Sequence, residues 1–101
     1  MSKKIWLAIV KVTPLLGNEF LNSGGAYVNV ACLAEGRKQF VSMLHSYFEL
    51  NRFEVQDVDD IETEGTLVVT DKETAEKIKL INEIKEGYEF AWGTFHTFDT
   101  D

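Results

Sequence analysis

Phe53-Glu54-Val55-Gln56-Asp57-Val58-Asp59-Asp60-Ile61, followed by the turn residues Glu62 to Gly65, the run Thr66 to Val69 and then Thr70-Asp71-Lys72-Glu73, decides the architecture. Phe53, Val55, Val58 and Ile61 alternate at first and change phase between Val55 and Val58, which predicts a strand with a bulge near Gln56-Asp57. Thr66 to Val69 reads as the second strand of a hairpin. Thr70 and Glu73 make a capping box, in which the hydroxyl and the carboxylate each accept a backbone N–H at a helix start. The stretch is therefore strand, turn, strand, helix.

Upstream of it, Gly36 opens a helix that runs to about Leu50. Its apolar positions Phe40, Val41, Met43, Leu44, Tyr47 and Phe48 recur at helical spacing, and Asn51 is placed to be a left-handed terminal residue. Ala26 to Ala34 is a strand with Val28, Val30, Cys32 and Ala34 on one face and Tyr27, Asn29, Ala31 and Leu33 on the other. Leu15 to Gly25 is a long connection, of the kind that is often functional. Ile5 to Val12 is rich in β-branched residues and apolar on both faces, so it predicts a strand covered on both sides until Thr13-Pro14 ends it.

Downstream, the second helix carries Ala75, Ile78, Ile81 and Ile84 inward and stops at Gly87. Tyr88 to Phe98 is the last strand, with Phe90, Trp92, Thr94, His96 and Phe98 facing one way and Glu89, Ala91, Gly93, Phe95 and Thr97 the other. The order is β-β-α-β-β-α-β. Its last six elements match the ferredoxin-like β-α-β-β-α-β core, here with an extra N-terminal strand, and predict an α+β fold whose antiparallel-dominated sheet has both helices on one face. The other face then needs cover, either from the 15–25 connection or from a second subunit, which makes a homodimer an expectation.

With 101 residues, 45% apolar and 27% charged, the chain has the composition of one globular domain, 1–101, rather than of a disordered segment. A single cysteine, Cys32, has no partner for an internal disulfide, which points to a reducing cytoplasm. No stretch approaches the roughly 20 apolar residues of a membrane helix. Ten basic against seventeen acidic groups give a net charge of −7, which argues against a nucleic-acid phosphate backbone as partner. The charge is uneven: residues 1–52 carry a net +3 and residues 53–101 a net −10.

Glu54, Asp57, Asp59, Asp60, Glu62 and Glu64 are the densest chemical feature. Such a strip can steer a basic protein partner toward it, and equally it can be a solvated edge that resists aggregation. Its spacing does not fit an EF-hand, and no metal site or cofactor is expected. A second surface comprises Asn18, Asn22, Tyr27, Trp92, Thr94 and His96, where His96 would serve as a hydrogen-bonding or acid/base group near neutral pH. Cys32 reads as a buried thiol and His45 as a residue at the boundary of the first helix's apolar stripe.

Three functions stay open on these residues. The first is a non-enzymatic interaction protein, inhibitor- or immunity-like, that docks a basic protein through the acidic strip. The second is a homodimeric small-ligand or regulatory module built on the Trp92 and His96 face. The third is a small enzyme using His96, for which the chain offers no accompanying nucleophile, phosphate loop or metal set.

Overall fold

The structure, a computed structural model, describes residues 3–15, 24–66 and 72–98. Its elements are β1 (Lys4–Pro14), β2 (Gly25–Ala34), α1 (Arg37–Leu50), β3 (Phe53–Thr63), a 3-10 turn (Glu64–Thr66), α2 (Lys72–Lys85) and β4 (Phe90–Phe98). Among the described residues the fold is α+β: two helices and one sheet of four antiparallel strands in the order β3-β1-β2-β4.

Central placement of β1 follows from its composition. Trp6, Ala8, Val10 and Val12 face α1, together with Val28, Val30 and Cys32 of β2, beneath Phe40, Leu44 and Phe48. Ile5 and Leu7 point the other way, and with Ala31, Leu33 and Ala91 they meet Leu80, Ile81 and Ile84 of α2. Successive strand residues face opposite sides, so the two helices cover opposite faces of the sheet. This corrects the expectation of both helices on one face. The physical reason lies in β1, whose two apolar faces each need cover that one helical layer cannot supply.

The strand count differs as well. Thr66 belongs to the 3-10 turn rather than to a strand, and residues 67–69 of the expected hairpin strand, with Thr70 of the expected capping box, lie outside the described residues. The described sheet therefore has four strands rather than five, in an order that is not the ferredoxin-like one. In α2, Leu80 joins Ile81 and Ile84 inside, whereas Ala75 is exposed and Ile78 only half-buried.

Helix ends show the remaining differences. Asn51 has φ −99, so it is not the left-handed residue; that is Arg52, at φ 64. The Arg52 carbonyl accepts the Leu15 N–H at 2.8 Å, tying the end of β1 to the approach to β3. Gly87 has φ 122, which only glycine adopts cheaply, and there the Gly87 and Tyr88 N–H groups donate to Ile84 and Glu83 at 3.1 and 3.3 Å, a Schellman stop for α2.

Bulges set which side chains reach which face. Between Lys11 and Val12 the register against β3 slips at Gln56, as the phase change at Val55 and Val58 predicts. A second slip, between Leu7 and Ile9, falls at Asp60, whose φ is 52. Together the two slips keep Phe53, Val55, Val58 and Ile61 on the α1 side. A third slip, between Val28 and Val30, sits at Gly93-Thr94 of β4.

Candidate functional site

That third bulge rearranges the expected ligand face. Val30 pairs with Trp92 and Val28 with Phe95, so both aromatic rings point to the α1 side. There Trp92 stacks on Phe48 at 5.5 Å between centroids and meets Phe95 edge-on at 5.3 Å. His96 pairs with Tyr27 and lies on the opposite face. Trp92 and His96 therefore do not share a surface, which corrects their grouping; the +3 step from Trp92 to Phe95 is the sequence signal of that slip. Asn18 and Asn22 lie outside the described residues.

What the fold does bring together is the acidic row and the His96 side of the second surface. The apolar cluster under α2 reaches Leu7 and Ala31. Beyond it the same face runs as a row Asp57–Lys11–Tyr27–His96 across all four strands, next to a row Asp59–Ile9–Asn29. Glu54, paired with Thr13, extends the row of acids along β3, which is the outer strand of the sheet among the described residues. Tyr27 is 44% exposed, and Thr94 and His96 are exposed as well. Lys11 holds its ammonium over two rings, 5.4 Å from the Phe98 centroid and 6.0 Å from Tyr27.

The six carboxylates are not equivalent. Glu62 pairs with Lys77 at 3.0 Å and Glu64 with Lys85 at 3.3 Å, so the chain's own lysines neutralise two of them. Glu54, Asp57, Asp59 and Asp60 are exposed and have no ion pair among the described residues. The Asp57 carboxylate accepts the Val58 N–H at 3.0 Å, which fixes its direction at the bulge. Among the described residues no three His, Cys, Asp or Glu side chains gather as a metal site.

Two residues at the centre of this face escaped the sequence reading. Asn29 sits within an apolar run, is only 6% exposed, and donates its side-chain N–H to Glu76 of α2 at 3.0 Å. Its Oδ1 receives no donor among the described residues. An unpaired buried acceptor costs about 1–3 kcal/mol. Asn29, Ile9, Tyr27, Val28 and His96 line a cavity of about 270 Å³. A lone polar residue in an otherwise apolar strand was the available signal.

Cys32, on the α1 side, is fully buried beside the Met43 sulfur at 3.9 Å. Burial first, and the Glu89 charge second, push its thiol up to about 11, so it is an inert packing group at neutral pH. His45 is exposed on α1. Comparison with known protein families, with curated proteins and with solved structures returned no match, so the functional reading rests on the chain's own residues.

Proposed function

We propose that the protein is a non-enzymatic binding module that docks a positively charged protein through the β3 edge and the adjoining open half of the α2 face. One observation carries the reading: Glu54, Asp57 and Asp59 project to the same side of β3, without ion pairs among the described residues, beside exposed Tyr27 and His96. Carboxylates aligned in this way sum their fields over the approach to one face, accelerating encounter with a basic surface and disfavouring an acidic one. Aromatic and imidazole groups next to the row supply contacts once the partner has arrived. An inhibitory role toward a basic enzyme is part of this proposal.

The test uses a fluorescent oligo-arginine peptide as a defined cationic probe. The triple variant Asp57→Asn, Asp59→Asn, Asp60→Asn is compared with Glu35→Gln, Glu49→Gln, Glu86→Gln, which removes the same charge from exposed positions elsewhere. At low ionic strength the first variant is expected to bind at least about tenfold more weakly with a flatter salt dependence, and the second to stay within about twofold of the parent. Equal losses in the two variants would mean attraction to net charge alone and would remove the proposal.

A further inference from the structure

Asn29 has its amide orientation fixed by its neighbour: a carboxylate only accepts, so Nδ2 faces Glu76 and Oδ1 is the atom left without a donor. Leucine would fill the same volume without that cost, yet the chain keeps a polar group at the wall of a cavity on the open half of the sheet. We infer that this cavity is a socket for the guanidinium group of an arginine presented by the partner. The inference rests on the proposed docking function and names the group that this function would recognise.

The polar residues at the cavity wall are Asn29, Tyr27 and His96, and the Glu76 carboxylate stands behind Asn29. Asn29 has the unpaired Oδ1, and the half-buried Glu76 carboxylate, whose Oε1 receives the Asn29 N–H, adds a negative charge behind the wall. A planar guanidinium brings several N–H donors for the unpaired amide oxygen together with a charge that the surrounding carboxylates favour, whereas an anion would meet their repulsion. Oδ1 is out of water's reach, so no hydrogen bond to solvent offsets its dehydration in the free protein. The Tyr27 and Phe98 rings lie 5.3 Å apart, tilted by 46°, and are already beneath the Lys11 ammonium, which shows that their faces suit a cation.

The charged and titratable groups around the socket come from every neighbouring strand and from α2. Asp57 and Asp59 face it from β3, Glu76 from α2, Lys11 from β1, Tyr27 from β2 and His96 from β4. Three carboxylates thus stand against one lysine, and that lysine lies opposite Asp57 over the aromatic pair. The local field favours a second cation.

Chemical-shift titration of the ¹⁵N-labelled full chain tests the socket directly, with methylguanidinium as the probe at constant ionic strength. Tetramethylammonium serves as a cation without N–H donors and acetamide as a donor without charge. Methylguanidinium is expected to shift the Asn29 side-chain amide and the Gly93, Thr94 and His96 backbone signals saturably, with a dissociation constant on the order of millimolar. Glu76→Gln keeps the volume and is expected to weaken the probe at least about fivefold; Asn29→Leu should do the same while melting no lower than the parent. Equal saturable shifts with tetramethylammonium or acetamide, or unchanged methylguanidinium binding in Glu76→Gln, would overturn the socket. The triple Asp→Asn variant removes two of the three carboxylates that face the socket and is expected to weaken methylguanidinium as well as oligo-arginine, whereas Glu76→Gln and Asn29→Leu leave the β3 row intact; loss of oligo-arginine binding in the triple variant reports on the edge, and loss of methylguanidinium binding with the β3 row present reports on the socket.

Discussion

The Asn29 side-chain amide donates to the Glu76 carboxylate at 3.0 Å, and this contact crosses from the second strand to the second helix directly over Gly93. A side chain at position 93 would occupy the space that the Glu76 carboxylate fills. Glycine at the β4 bulge therefore lets a helix carboxylate lie against the sheet, where it holds α2 and satisfies half of a buried amide.

Gly93→Ala is expected to expel Glu76 and break its bond to Asn29, with a loss of about 1–3 kcal/mol, the cost of leaving a buried polar group unpaired. In a Glu76→Ala background the same substitution meets open space and should cost no more than about 0.5 kcal/mol. A double-mutant cycle from urea denaturation measures the difference. Additive losses would mean that Gly93 is needed for another reason.

Much of this geometry is written in residue spacing. The three-residue steps from Val55 to Val58, from Val58 to Ile61 and from Trp92 to Phe95 each mark a bulge, and the same rule that places the first places the other two. The step at Trp92 is masked locally because Trp92, Thr94 and His96 also alternate, so only the bulk of Phe95 betrays the change of face. Opposite placement of the helices is implied by Ile5 and Leu7 lying back to back with Trp6 and Ala8. Which helix takes which face was not legible, since α1 and α2 both carry a single apolar stripe and the choice rests on the path of the chain across the sheet. The Asn29–Glu76 contact joins residues 47 positions apart, a separation at which spacing carries no information.

The two ion pairs of the acidic strip should differ in worth. Lys77 and Glu62 retain 15% and 26% side-chain exposure, whereas Lys85 and Glu64 retain 59% and 40%. Lys77→Met is expected to cost about 1–2 kcal/mol because it strands a half-buried carboxylate on β3. Lys85→Met should stay within about 0.5 kcal/mol of the parent, as exposed pairs do. Thermal melts of the two variants side by side decide the matter, and equal losses would refute the ranking.

Asp60 is one of two non-glycine residues with positive φ among those described. Asparagine tolerates that conformation as well as aspartate does, so Asp60→Asn should leave stability unchanged or raise it slightly by removing one of several neighbouring like charges. Asp60→Val forces a β-branched residue into the left-handed region and is expected to cost at least about 1 kcal/mol. Denaturant midpoints for the pair separate backbone strain from charge, and a fall in stability with Asn would show that the carboxylate itself is needed.

Cys32 gives the fold a defined sensitivity to alkali. Its thiol is raised from 9.0 to about 11 by burial and secondarily by Glu89, so between those values the unfolded chain gives up a proton that the folded chain keeps. A folded-state value above the unfolded one means that the stabilisation is complete below pH 9 and is lost as pH rises toward 11, with a limiting slope of about 1.4 kcal/mol per pH unit for one proton. Tyr47, raised from 10.0 by burial first and by Glu89 next, adds to the decline at the upper end. Cys32→Ala should start from lower stability at pH 7, because a fully buried side chain is truncated against Met43, and yet decline less steeply from pH 9 to 11. Urea denaturation of parent and variant across that interval reads the two slopes; parallel curves would show that the thiol ionises in the folded protein as readily as it does in the unfolded chain.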